Sequence, residues 1–239
     1  MKTREFRMNI QQFLKEKINN DQAVLTEFES KELLKEIGIA IPKQKLTKSK
    51  EDTISAAKEI GYPVVMKLMA EDIVHKSDTG AVKLNLKNDE EVSKAYDELM
   101  QIPSEKEKMI SVQEMAKEPI AELIIGMTTD PQFGPALMFG IGGILVELLE
   151  DVSFRIAPIT EYDAKEMIHE IKGFPLLDGY RGKPKADIDA IVDTLLKISD
   201  LVTKHEEIYE MDLNPVFIYD KGLVCVDARI ILKNPDKKE

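Results

Sequence analysis

A histidine and a lysine carry the sharpest chemistry that can be read from this chain. His75 stands in the run His75-Lys76-Ser77-Asp78-Thr79-Gly80, whose polar, turn-forming residues make a loop. The loop follows Tyr62 to Leu68, an apolar strand pattern in which Lys67 is the single charge. An imidazole just past a strand and a lysine inside it can meet one phosphate from two sides, and that is phosphoryl-transfer chemistry. An exposed loop histidine with no task has the same local sequence, so the run alone leaves both readings open. An unpaired ammonium inside an apolar strand is costly. Lys67 therefore needs an anion, either a nucleotide phosphate or a neighbouring glutamate.

A second constellation lies near the C-terminal end. In Met211-Asp212-Leu213-Asn214-Pro215 the alternation of a strand puts Asp212 and Asn214 on one face. A turn at Asp220 to Gly222 folds the chain back toward Val224-Cys225-Val226-Asp227-Ala228-Arg229, which brings Asp227 beside Asn214. One amide oxygen and one carboxylate suit Mg²⁺, which takes few protein ligands and completes its shell with phosphate and water; a polar edge pair facing water is the plain alternative. Glu114 ends one strand and Glu122 opens the next, where either could accept ribose hydroxyls or simply be solvated. Arg155, in Phe154-Arg155-Ile156, is a further candidate phosphate clamp.

The elements that must position these residues alternate in an α+β order. A polar helical arm is expected over 1–21. Thr26 to Glu29 fits a capping box that opens a helix over 27–37, ended by Gly38. A short strand at 39–41, a helix over 51–60, the strand 64–68 and a helix from Asn88 to Met100 follow, closing a first lobe at 22–108. The second lobe, 109–231, opens with strands at 109–115, 121–127, 136–139, 144–147 and 152–156. Helices are expected at 160–171 and 187–204, then strands at 208–213, 216–219 and 223–231. A charged tail fills 232–239.

Composition bounds the function. The net charge of −11 removes the basic face that nucleic acid or an anionic membrane would need. No run is long and apolar enough to span a bilayer, no signal sequence is recognisable, and the single cysteine, Cys225, sits in an apolar strand pattern. A cytoplasmic setting is expected.

Taken together these motifs resemble the ATP-grasp fold as it occurs in the succinyl-CoA synthetase β subunit, and more closely the small β subunit of ADP-forming acyl-CoA (acetate-CoA) ligases. The resemblance covers residues 22–231. It is carried by Lys67, His75-Lys76-Ser77-Asp78, Glu114 and Glu122, Phe133-Gly134-Pro135, Gly142-Gly143, Val146-Glu147, Leu176-Leu177-Asp178-Gly179-Tyr180-Arg181-Gly182, and Asp212 to Pro215 with Asp227-Ala228-Arg229. It implies two α+β lobes holding ATP or ADP between them. Lys67 would then sit on the phosphates, Glu114 and Glu122 on the adenosine side, Asn214 and Asp227 on Mg²⁺, and His75 would be the phosphorylated relay. Asp212 stands where succinyl-CoA synthetases use a glutamate to orient the phosphohistidine. The resemblance also implies a CoA-binding α partner in an α2β2 assembly, since no Gly-x-Gly-x-x-Gly run is present here; the acyl substrate would be chosen by that partner. Two other readings stay open at this point: a ligase acting through a direct acyl phosphate, and a non-catalytic nucleotide sensor.

Overall fold

A computed structural model describes residues 8–70, 72, 80–143, 151–182 and 184–233. His75 and the 144–150 segment, with the strand expected at 144–147, lie outside the described residues. The chain divides into two compact units, one made of Thr26–Phe28 with Pro42–Lys117, the other of Met1–Leu25, Glu29–Ile41 and Glu118–Glu239.

The smaller unit is a four-stranded antiparallel sheet in the order β1-β4-β2-β3, built from β1 (Gln44–Thr47), β2 (Val64–Met69), β3 (Val82–Leu86) and β4 (Met109–Glu114). Helices α3 (Lys50–Ile60) and α4 (Asp89–Met100) cover one face. Val64, Met66, Leu68, Ile110 and Val112 alternate into that core against Ala56, Ala57, Val92, Ala95 and Leu99. Ser49 and Asn88 cap the two helices, each accepting from a backbone amide three residues on. Because β4 pairs with both β1 and β2, the division falls after residue 117 and not at 108. β1 and β3, both outer strands, went unforeseen: β1 has one apolar residue, Leu46, whereas Val82, Leu84 and Leu86 of β3 do alternate, a signal that sequence reading passed over, Leu84 being 60 % exposed.

The larger unit holds a six-stranded sheet, β10-β8-β5-β6-β7 with β9 also on β8. Its strands are β5 (Ala121–Asp130), β6 (Gly134–Ile141), β7 (Val152–Ile156), β8 (Ile208–Ile218), β9 (Leu223–Cys225) and β10 (Arg229–Leu232). Its helices are α1 (Ile10–Asn19), α2 (Glu27–Glu36, whose first residues count with the smaller unit), α5 (Glu161–Glu170), α6 (Phe174–Leu177) and α7 (Ile188–Lys204). Leu123, Ile125, Met127, Leu137, Phe139, Met211 and Leu213 face a core completed by Met167 and Ile168 of α5 and Ile191, Leu195 and Ile198 of α7. α1 is no solvated arm: Leu14 is fully buried and Ile10, Phe13 and Ile18, one helical stripe, pack on the same core. No strand forms at 39–41, where Cys225 N donates to the Ala40 oxygen (2.9 Å) in an otherwise irregular stretch. β8 runs unbroken through Asn214-Pro215, where its register against β5 shifts.

Candidate functional site

The register of β8 assembles the larger unit's polar residues. Against β9, Val216 pairs with Cys225, and against β10, Asp212 pairs with Arg229. The offset is the same on both sides of the interruption at 226–228, so Asp227 falls opposite Asn214. Val226 N donates to the Pro215 oxygen at 3.0 Å and holds that alignment. On its other side Asp212 pairs with Gly126 of β5. Since Leu123, Ile125 and Leu213 point into the helix-packed core, Glu122, Gly126, Asp212 and Arg229 belong to the sheet's other face.

That face is electrostatically uneven. Asp212 Oδ1 is buried without a hydrogen-bond partner. Burial pushes the Asp212 carboxyl above the usual carboxylate range, Asp227 and Glu210 push the same way, and only Arg229 opposes them. Asn214 is exposed and Asp227 half-buried. Their amide and carboxylate oxygens are hard donors of the kind Mg²⁺ takes, so the donor set fits the metal. Among the described residues no three His, Cys, Asp or Glu side chains form a group that could hold an ion by themselves. The 226–228 segment has a support that sequence reading missed: Lys31 of α2, fully buried, donates to the Val226 oxygen at 3.1 Å. A lysine in an amphipathic helix gives no sequence signal of burial.

Glu122 is exposed at the start of β5, on the same face as Asp212, and its backbone oxygen accepts from Gly142 N at 2.7 Å. Gly143 lies beside it, an added Cβ there standing at ordinary contact distance, 3.5 Å, from Glu122 Oε2. Arg155 is placed elsewhere. It pairs with Leu137, on the helix-covered face, and forks onto Glu170 of α5 at 2.9 and 2.5 Å. Glu170 raises the guanidinium pKa further. The expected phosphate clamp is thus a tie between strand and helix.

In the smaller unit Lys67 is 4 % exposed and its ammonium meets Glu27 Oε1 at 2.6 Å. Gln113 donates to the same oxygen at 3.1 Å. Of the two anions open to Lys67, the glutamate is the one seen here, and Glu27 was not foreseen in that role. Lys67 pairs with Ser111 and Val65 with Gln113, so these four share the face opposite α3 and α4. Glu114 pairs with Val64 of the helix-packed face and is exposed at the strand's end. Its carboxylate and the Lys67 ammonium leave the sheet on opposite sides.

Comparison with known proteins matches this arrangement to a defined group. The model of the ATP-grasp domain family matches residues 16–232. The β subunit of acetate–CoA ligase (ADP-forming) II from Pyrococcus furiosus is 50 % identical over 228 residues, 92 % of this chain and 96 % of that one. The crystal structure of acetyl-coenzyme A synthetase 1 from Ca. Korarchaeum cryptofilum, in complex with coenzyme A and Ca-AMPCP, is similar with a TM-score of 0.88 and 46 % identity, over 93 % of this chain and 99 % of that chain. A second structure of that enzyme, with Mg-AMPPCP and a phosphohistidine segment pointing towards the nucleotide-binding site, gives a TM-score of 0.83, again at 46 % identity and with the same coverage.

Proposed function

Because this chain belongs to the ATP-grasp family and, within it, to the β subunits of the ADP-forming acetate–CoA ligases, we propose that it is the nucleotide-binding subunit that passes phosphate between a phosphohistidine and ADP. The overall reaction is acyl-CoA + ADP + phosphate to acid + CoA + ATP, run reversibly. The observation that carries this reading is the end-to-end match to a β subunit, and the Asp212, Asn214 and Asp227 cluster supports it.

Each residue then has a task. Asn214 and Asp227 would hold Mg²⁺ together with phosphate oxygens and water, and the ion would neutralise charge on the phosphates. Lys67, whose ammonium lies beside Glu27, is proposed to act on the nucleotide phosphates. Glu122 shares a face with the metal pair and is proposed to take the ribose hydroxyls. His75 is proposed as the relay, since neutral imidazole, with an ordinary pKa of about 6.5, is a competent nucleophile near pH 7. Asp212, whose Oδ1 is buried without a hydrogen-bond partner, is proposed to orient the phosphohistidine.

The CoA-binding partner supplies the thioester chemistry, and an α2β2 assembly in the cytoplasm is the proposed working form. Among the described residues no helix is long and apolar enough to cross a membrane. Reconstitution tests the reading. The pure chain should form no ATP from acetyl-CoA, ADP and phosphate, and addition of the partner should start turnover. Turnover by the chain alone would contradict the division of labour.

A further inference from the structure

We infer that Lys31 is a positioning residue for Asp227, holding the backbone from which this carboxylate reaches the metal. The inference rests on the Mg²⁺ reading of Asn214 and Asp227 above and adds a residue to it.

Strand geometry alone does not aim this pair. On β8, Leu213 and Val216 are both buried in the core, and on the opposing chain so are Cys225 and Ala228. Each spacing is three residues, where a regular strand returns to the same face at every second one. The pleat therefore breaks on both chains, at Asn214-Pro215 and at Val226-Asp227. On β8 the proline ring restricts the backbone. The facing 226–228 segment lies between the end of β9 and the start of β10 and belongs to neither strand, so individual bonds must hold it.

Those bonds converge on the peptide groups that flank Asp227. The preceding group carries the Val226 oxygen, which accepts from the Lys31 ammonium at 3.1 Å. The following group carries the Asp227 oxygen, which accepts from the Cys225 thiol at 3.2 Å. Because a peptide group is planar, fixing the Val226 carbonyl also fixes the direction of the Asp227 N–Cα bond, and with it the sector into which the carboxylate projects. A thiol is a weak donor, whereas an ammonium makes a charge-assisted bond. Lys31 is thus the stronger of the two holds. It is fully buried in α2, close in sequence to the fully buried Leu33 and Leu34. Methionine would fill such a place without desolvating a charge. An ammonium kept there has an electrostatic task, and the Val226 oxygen is one of its acceptors. Lys31, Val226 and Asp227 all belong to the larger unit.

The linkage between Mg²⁺ and ADP reads this positioning: it is the ratio of ADP affinity in Mg²⁺ to that in EDTA, measured by titration calorimetry on the complex with the partner subunit. Lys31→Met should lower that ratio about tenfold, the scale on which groups behind a metal ligand act, and leave ADP affinity in EDTA within about twofold of the parent. In an Asp227→Ala background Lys31→Met should lower the ratio no further, since the residue it acts through is gone. The parent's ratio in Lys31→Met would overturn the inference, as would a further fall of similar size in the Asp227→Ala background or an equal loss of affinity in EDTA. Lys31→Gln, neutral and one bond shorter, covers the case in which the methionine variant does not fold. It should lower the ratio too, and the parent's ratio there would overturn the inference equally. Asp227→Ala with the parent's ratio would overturn the metal reading first, and this inference with it.

Discussion

At the scale of single residues, the chemistry turns on which oxygens face which ions. Asn214 and Asp227 are opposed by register, and two protein oxygens hold Mg²⁺ poorly unless phosphates complete the shell. Asp227→Ala should therefore weaken ATP binding about tenfold or more in Mg²⁺, and much less in EDTA, as read by titration calorimetry. Equal loss in both conditions would mean that Asp227 supports the fold and not the metal. Much of this cluster was legible beforehand: Asp212, Asn214 and Asp227 followed from strand alternation and one turn. What escaped notice were partners that come from distant sequence. Glu27 lies forty positions from Lys67, and Lys31 lies 195 from Val226. No local pattern announces such pairs. Arg155 misled for the opposite reason, since period-2 alternation places a residue on a face without saying which face is covered by helices.

At the scale of elements, the helices were the easiest to foresee, because caps and 3.6-residue stripes are local. α7 is capped by Asp187 and buries Ile191, Leu195 and Ile198. Strand ends were harder, since pairing across the sheet decides them. A clip between β2 and α4 shows how such junctions are held. The Tyr62 hydroxyl donates to Asp89 Oδ1 at 2.8 Å, and Lys58 reaches Oδ2 of the same carboxylate at 2.7 Å. Burial, then the hydrogen bond and the charge of Asp89, push the Tyr62 phenol up to about 12. Lys58 and then Tyr62 hold the Asp89 carboxyl below its ordinary range. A phenol with a raised pKa favours the neutral form in the native state, so its contribution is complete below about pH 10 and is lost as pH climbs toward 12. Tyr62→Phe should lower stability by about 1 kcal/mol at pH 8, and the gap between variant and parent should narrow by pH 11. Denaturant midpoints at the two pH values measure it; a gap that stays constant would show that the hydroxyl's protonation is irrelevant.

At the scale of the whole molecule, the chain is an ATP-grasp family member that matches a β subunit from end to end. The ATP-grasp assignment spans residues 16–232, both compact units included. The first lobe boundary was misplaced because β4 resembles the strands that follow it in sequence but pairs with those that precede it. The acyl substrate is proposed to be chosen by the partner and leaves no trace in this sequence. The claim on which the account depends is that phosphate passes through His75 on this chain. Incubation with Mg²⁺ and γ-labelled ATP should label the protein with an acid-labile, alkali-stable bond, as a phosphoramidate requires, and His75→Asn should take no label while binding nucleotide with near-parental affinity. Label retained on His75→Asn, or normal acyl-CoA-driven ATP formation by that variant in complex with its partner, would contradict it.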